Sequence, residues 1–195
     1  MMKRNNFPFS AVLGLNHAKT AILIVLVNPR AGGLLISGPR GIGKSTLMRS
    51  TQELIERPWR DIPVSVTEDR LFGTIDTEKA IYSGQKKLYP GIINEADQGV
   101  LYLDDANLLR EDLLDSILNI AEVGAYQLER DGLSLRCDTS FTVIAAINPE
   151  SGMLSGACLD QFGLFVNVDN IHDENTRVEI LKPVSYTHLT LPTIA

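Results

Sequence analysis

Cysteine is scarce in this sequence, positive charge is not in excess, and no apolar run is long enough to cross a membrane. The two cysteines, Cys137 and Cys158, have no CxxC or histidine spacing, so we expect reduced structural thiols, with a disulfide as the alternative. The net charge of −6 disfavours a general nucleic-acid or acidic-membrane footprint. The apolar run AILIVLV (residues 21–27) is far shorter than the roughly 20 residues of a membrane span, and no cleavable signal pattern precedes it. We therefore expect a soluble, cytoplasmic protein.

Hydrophobic residues make up 44% of the 195 residues, which predicts about one domain with an appendage. Apolar strand-like runs alternate with segments of helical periodicity, so we expect an α/β sandwich with a mainly parallel sheet. The expected helices are residues 16–27 with Asn16 as the cap, 44–56, 77–97 with an inserted turn or hairpin, 108–123, and a helix beginning at ENTRVEILK. The expected strands are residues 34–37, 63–66, 100–104, 141–148 and 164–168, with a hairpin in YQLERDGLSLR that turns at Asp131-Gly132.

The stretch GPRGIGKST is the most specific signal, because it matches the phosphate-loop pattern GxxxxGK[ST] between a predicted strand and a predicted helix. The glycines let backbone N–H groups turn toward phosphate oxygens, and the helix N-terminus adds partial positive charge. The alternative is a glycine-rich turn with a solvated lysine. The predicted ATP-binding residues are Gly38, Pro39, Arg40, Gly41, Ile42, Gly43, Lys44, Ser45 and Thr46, with Lys44 on the β and γ phosphates and Ser45 on Mg²⁺.

Two adjacent carboxylates, Asp104 and Asp105, close a second apolar strand. Burying an ionised carboxylate is costly unless a cation or donors compensate it, so we expect Asp104 to hold Mg²⁺ through water. Asp105 is then the candidate for orienting the attacking water, or alternatively a cap of the following helix. Asn148 follows a third buried strand; its amide can hold the same water, or it can simply start the Asn-Pro turn.

These motifs, together with LFGTID, PGIINEADQGVLYLDDANLL, LERDGLSLR and INPESG, resemble the AAA+ ATPase subunit of magnesium chelatase. The likeness covers about residues 7–182. It implies a P-loop NTPase three-layer sandwich, an AAA+ core with a helix-2 insert near residues 82–91 and a pre-sensor-1 β-hairpin at 126–136. The adenine pocket would include Val12, Leu13 and Gly14, and Asn148 would be sensor 1.

The resemblance also implies assembly and partners. Such proteins form rings, usually hexamers, with ATP between subunits. They hydrolyse ATP to remodel partner subunits, a chelatase D-like subunit with a von Willebrand-type domain and a large porphyrin-binding subunit, during Mg²⁺ insertion into a porphyrin. No membrane partner is implied.

Two positions depart from the family pattern. Asp105 stands where the family usually has Glu, so the candidate base is one methylene shorter and slower hydrolysis is expected. The family's LLDRFG is CLDQFG here, which puts Gln161 at the expected position of the arginine finger, a residue that contributes about 10³ to 10⁵ in rate. Arg177 is interpreted as a surface or packing residue.

The last segment, PVSYTHLTLPTIA (residues 183–195), follows a proline that interrupts the final helix. We interpret it as non-native sequence, with a genuine disordered terminus as the alternative. Residues 1–182 are then an AAA+ nucleotide-binding domain that is incomplete, because the helical lid domain is absent.

Three functional hypotheses remain open at this point. The first is an ATP-driven chelatase motor subunit, and the second is a nucleotide-switched scaffold with weak or no hydrolysis of its own. The third is a chaperone ATPase of the related MoxR group acting on von Willebrand-type partners. A DNA-remodelling role through Arg130 and Arg136 is disfavoured by the acidic balance.

Overall fold

A parallel five-stranded sheet lies at the centre of the molecule, which is a computed structural model describing residues 8–75, 88–130 and 132–169. In chain order the strands are β1 (Leu34–Ser37), β2 (Trp59–Ile62), β3 (Gly73–Ile75), β4 (Leu88–Pro90), β5 (Val100–Leu103), β6 (Ala125–Arg130), β7 (Leu133–Asp138), β8 (Thr142–Ile147) and β9 (Leu164–Asn167). The helices are α1 (Asn16–Val27), α2 (Lys44–Gln52), α3 (Glu68–Phe72), α4 (Ile92–Glu95), α5 (Glu111–Val123) and α6 (Gly156–Asp160), with single 3₁₀ turns at Phe9–Ala11, Pro29–Ala31, Ala106–Leu108 and Pro149–Ser151.

The order of strands in the central sheet is β2-β5-β8-β1-β9, and every neighbouring pair is parallel. The three inner strands, β5, β8 and β1, are buried along their whole length. In the outer strand β2 the two middle residues are exposed, and in β9 half-buried and exposed residues alternate. Continuous apolar runs are typical of parallel strands covered on both faces. The predicted α/β fold with a mainly parallel sheet is confirmed.

Helices cover both faces of the sheet, which gives three layers. Alternate residues of β1 point to opposite faces. Leu35 joins one core with Ile117 of α5, and Ile36 joins the other core with Ile22 of α1 and Leu47 of α2. Because β5, β8 and β1 are parallel neighbours, their carboxyl ends lie at the same edge of the sheet, and helices pack on both faces of the sheet behind that edge.

The predicted hairpin is present and is antiparallel, with Ala125 paired to Asp138 and Arg130 paired to Leu133. The Tyr126 hydroxyl lies 2.7 Å from the Phe72 carbonyl oxygen and 2.7 Å from Asn94 Oδ1. These contacts attach the hairpin to α3 and α4. Asp131, in the predicted turn, lies outside the described residues.

Several predicted boundaries are wrong. The strand predicted at residues 63–66 is instead β2, four residues earlier, because Pro63 cannot donate a ladder hydrogen bond and its carbonyl accepts from Val66 in a turn. Helix α2 ends at Gln52, not at 56. Asn16 is the first residue of α1 and not its cap, since Leu15 holds the cap position in the left-handed region.

The segment 77–97, predicted as a helix with an inserted turn or hairpin, is helical only at α4 where it is described. Residues 88–90 form β4, which pairs antiparallel with β3, so the strand character of the hairpin alternative is present and a continuous helix is wrong. Most of the expected helix-2 insert lies outside the described residues. The same holds for the helix at ENTRVEILK, for Arg177 and for residues 183–195, so the domain boundaries stay predictions. In the described ranges, no helix combines the length and the apolar character needed to cross a bilayer.

Candidate functional site

The loop between β1 and α2 has the backbone conformation of a phosphate cradle. Gly41 and Gly43 adopt φ angles of 83° and 92°, in the left-handed region that glycine enters without strain. Helix α2 begins directly at Lys44, and Gly43 before it supplies no side-chain cap. The first N–H groups of α2 therefore have no capping side chain, and the helix end attracts an anion.

Lys44 lies within this loop and is only 8% exposed. Its Nζ donates to the Gly38 carbonyl at 2.5 Å and to the Pro39 carbonyl at 2.9 Å. Burial lowers the pKa of Lys44, and the nearby Asp105 and Asp104 carboxylates oppose that shift. The predicted alternative of a solvated lysine in a glycine-rich turn is wrong, because the ammonium is buried against the loop.

Ser45 and Asp104 meet, although 59 residues separate them in the chain. Ser45 Oγ donates to Asp104 Oδ2 at 3.1 Å, which joins the start of α2 to the residue after β5. A hydroxyl and a carboxylate are hard oxygen ligands of the kind that Mg²⁺ takes beside phosphates. The donor set therefore fits the predicted cation, with Ser45 and Asp104 as the residues that would hold it.

Tyr102 also belongs to this cluster, although the site residues predicted from the sequence motifs do not include it. Its hydroxyl donates to Asp104 Oδ1 at 2.9 Å. Burial and the adjacent Asp104 raise the pKa of Tyr102, so the phenol keeps the proton that it donates. The signal that could have revealed Tyr102 is its position two residues before Asp104, since residues i and i+2 of a strand share a face.

Asp105 adopts a φ of 50°, which is uncommon for a residue other than glycine. Its Oδ2 lies 3.8 Å from an Arg40 guanidinium nitrogen, on the phosphate loop. Asp105 holds the N-cap position of the turn Ala106–Leu108, but its side chain makes no capping hydrogen bond there, so the alternative of a capping side chain is wrong. The side chain instead faces the loop that carries Lys44.

Asn148 lies at the end of β8, between β5 and β1, and is only 2% exposed. Its Oδ1 accepts from the Glu150 backbone N–H at 3.2 Å, and its Nδ2 donates to Ser151 Oγ at 3.1 Å. It therefore does start the Asn-Pro turn. Whether the amide also holds a water stays a prediction, although its position at the same sheet edge is as expected.

The segment predicted for the adenine pocket lies beside the phosphate loop. Val12 is buried in one core with Met48 of α2, and its carbonyl accepts from Lys19 Nζ. Gly14 and Leu15 both have positive φ values. A methyl group added at Gly43 would lie 3.9 Å from Leu15 Cδ1, which shows how near the two segments are.

Gln161 is the C-cap residue directly after α6, and its Nε2 donates to the Ala157 carbonyl at 3.4 Å. It has no hydrogen bond to Lys44, Ser45 or Asp104 among the contacts of the described residues.

Both cysteines are buried free thiols, as predicted. Arg136 of the hairpin, considered above for DNA contact, pairs with Asp138 at 3.0 Å.

A family profile described as "AAA domain (dynein-related subfamily)" matches residues 33–161. The matched span contains the phosphate loop, Lys44, Asp104 and Asn148. The chain belongs to this AAA domain family. The α/β fold of an AAA core, predicted from the motifs, is confirmed by this match and by the parallel sheet.

The chain is similar to the magnesium-chelatase 38 kDa subunit of Cereibacter sphaeroides, with 36% identity over 90% of this chain and 62% of that protein. It is 34% identical to the magnesium-chelatase subunit ChlI homolog of Methanocaldococcus jannaschii, over 94% of this chain and 60% of that protein. Among solved structures it is similar to a chain in the complex between subunits BchI and BchD of magnesium chelatase, with a TM-score of 0.78 and 36% identity over 92% of this chain and 66% of that chain.

The predicted resemblance to the ATPase subunit of magnesium chelatase is therefore confirmed. The chain spans 62% and 60% of the two curated relatives named above. It is an AAA-type module that matches part of each relative.

Proposed function

We propose that this AAA module binds Mg-ATP and hydrolyses it, and that it acts as a motor subunit of a magnesium-chelatase-like complex. The observation that carries the proposal is the meeting of the buried Lys44 with Ser45 and Asp104 at one edge of the sheet. Lys44 would hold the β and γ phosphates, and Ser45 and Asp104 would hold Mg²⁺. Bound Mg²⁺ would neutralise charge on the phosphate oxygens.

Asp105 is the proposed base that orients and polarises the attacking water, and Asn148 is the proposed sensor 1. The carboxylate of Asp105 faces Arg40, so Asp105 lies next to the phosphate loop. Asn148 is at the end of the strand between β5 and β1. Residues 12–14 would receive the adenine, since Val12 is buried in one core with α2 and the following Leu15 lies near Gly43 of the loop.

The proposed assembly is a homo-oligomeric ring, a hexamer by the resemblance, with ATP between subunits. The proposed partners are a chelatase D-like subunit with a von Willebrand-type domain and a large porphyrin-binding subunit. Energy from hydrolysis would remodel those partners for metal insertion into a porphyrin. The resemblance to a chain of a BchI–BchD complex supports the choice of a D-like partner.

Nucleotide affinity of Lys44→Ala tests the site. A charge-assisted hydrogen bond contributes about 1.5 to 3 kcal/mol, so Mg-ATP affinity should fall by about 10- to 150-fold. Arg49→Ala is the matched control, because it removes one positive charge from an exposed position on the same helix; its affinity should stay within about twofold. An unchanged affinity in Lys44→Ala would contradict the site assignment.

A nucleotide-switched scaffold is the second candidate, and two observations favour it. Gln161 has no positive charge to offer a neighbouring subunit's phosphates, and Asp105 already lies near a cation, Arg40. In such a scaffold ATP would control assembly without turnover by this chain. Hydrolysis would then depend on another subunit.

Phosphate release measured against protein concentration separates the two candidates. Specific activity that rises with concentration in the parent indicates a hydrolysing ring and supports the motor. No turnover in the parent, with turnover in Gln161→Arg, supports the scaffold, because the missing charge is then the only obstacle. No turnover in either variant, with Mg-ATP binding intact, also supports the scaffold.

A further inference from the structure

Both oxygens of the Asp104 carboxylate accept a hydrogen bond. Tyr102 donates to Oδ1 at 2.9 Å, while Ser45 Oγ donates to Oδ2 at 3.1 Å. The two oxygens of one carboxylate thus have different partners: a residue of the same strand, and the serine of the phosphate loop. Asp104 and Tyr102 share one face of the strand end because they are two residues apart.

Tyr102 is itself fixed by its surroundings. It is 6% exposed, and its ring lies 6.0 Å from the Trp59 ring, tilted by 41°. Asp61 is the residue that pairs with Tyr102 between β2 and β5, and its Oδ1 accepts from Trp59 Nε1 at 2.8 Å. The Tyr102 hydroxyl therefore contacts Asp104 from a ring that is buried and packed against Trp59.

We propose that Tyr102 is a positioning residue for the divalent cation of the nucleotide, because it fixes the Asp104 carboxylate with Oδ2 directed toward Ser45. The proposal rests on the proposed Mg-ATP site. The terminal torsion of an aspartate is broad, so a carboxylate without this hydrogen bond has to be ordered when the cation binds. Hydrogen-bond partners of metal-ligating groups commonly change metal affinity by about 10- to 100-fold when they are removed.

The test is Tyr102→Phe, which deletes only the hydroxyl and keeps the ring against Trp59. Binding of a fluorescent ATP analogue is titrated with Mg²⁺, and its affinity is also measured in EDTA. We expect the Mg²⁺ concentration at half-effect to rise by about 10-fold or more. Affinity in EDTA should stay within about twofold, because no residue of the phosphate loop or of α2 is replaced.

Two further variants calibrate the measurement. Asp104→Asn removes the carboxylate charge and should abolish most of the Mg²⁺ effect on binding. Tyr126→Phe is the matched control, since it also deletes a tyrosine hydroxyl with two close oxygens, 2.7 Å each, but in the hairpin contact to Phe72 and Asn94. Its Mg²⁺ titration should match the parent.

Each outcome decides between the two proposals. A shifted Mg²⁺ titration in Tyr102→Phe, with EDTA affinity and Tyr126→Phe unchanged, supports the positioning role. An unshifted titration in Tyr102→Phe, with the Mg²⁺ effect lost in Asp104→Asn, overturns that role and leaves the Mg-ATP site intact. An equal loss of affinity in Tyr102→Phe with and without Mg²⁺ overturns the positioning role, because the substitution then damages nucleotide binding in general. A parent that binds no analogue under either condition overturns both proposals.

Discussion

Gly38, the first glycine of the phosphate loop, lies where the loop touches the end of β9. A methyl group added there would come to 2.6 Å from Val168 Cγ2 and 2.7 Å from Ile42 Cδ1, and it would press still closer on the Val168 carbonyl oxygen. The carbonyl cannot move freely, because the Val168 N–H donates to the Ser37 carbonyl at 2.8 Å and ties this segment to β1. Gly38→Ala should therefore displace the loop or the segment after β9.

The expected cost is that of overpacking a close contact, about 1 to 3 kcal/mol. For a chain of this size that corresponds to a fall in Tm of roughly 2 to 12 °C. Nucleotide affinity should fall as well, because the Gly38 carbonyl accepts from Lys44 Nζ and moves with the loop. Thermal unfolding by circular dichroism and binding of a fluorescent ATP analogue measure the two effects.

Gly156→Ala is the matched control for this substitution. A methyl group added at Gly156 meets nothing within 4 Å, and the residue is the first of α6. Alanine there should be neutral or stabilise by about 0.4 to 1 kcal/mol, by restricting the unfolded chain. Equal Tm and equal affinity for Gly38→Ala and the parent would refute the close approach of Gly38 to Val168.

Two further predictions concern titratable groups. Because burial lowers the pKa of Lys44, Mg-ATP affinity should decline as pH rises through that lowered value, before the ordinary lysine value is reached, since the free protein must then take up a proton on binding. Affinity measured from about pH 7 to about pH 10 tests this, and Lys44→Arg should lose the decline because guanidinium stays charged; parallel profiles would argue against it. Burial and then the hydrogen bond to Asp115 raise the pKa of the Cys158 thiol, so in a Cys137→Ser variant it should react slowly with a maleimide near pH 7 until the protein is denatured. Fast labelling of the folded variant would disprove that.

Local chemistry made part of the site predictable. The spacing of Gly38, Gly43, Lys44 and Ser45 specifies a loop and a helix start within a few residues, and these were predicted correctly. The inner strands were also predictable, because burial on both faces requires continuous apolar runs. Element ends were less predictable: β2 ends at Ile62, whereas a strand had been expected at residues 63–66.

Other features depended on contacts that local patterns do not contain. The segment predicted at 77–97 as a helix with an inserted turn or hairpin holds β4 and α4 in its described part, because β4 pairs with β3. Asp105 in the left-handed region, facing Arg40, could not be predicted either. A strand partner or a backbone angle of this kind is selected by tertiary packing, which overrides local propensity.

The sequence by itself determined the class of the fold and the phosphate loop, because each rests on local patterns of residue types, and it indicated the family through its resemblance to the motifs of known members. Only the tertiary structure decided which side chains share the site. The strand order β5-β8-β1 brings Asp104 to Ser45 across 59 residues of chain. The packing of β2 on β5 then holds Tyr102 against that carboxylate. The physical reason is that hydrogen bonds between residues distant in the chain depend on strand order and strand register. The pattern of side chains along one segment specifies neither the order nor the register.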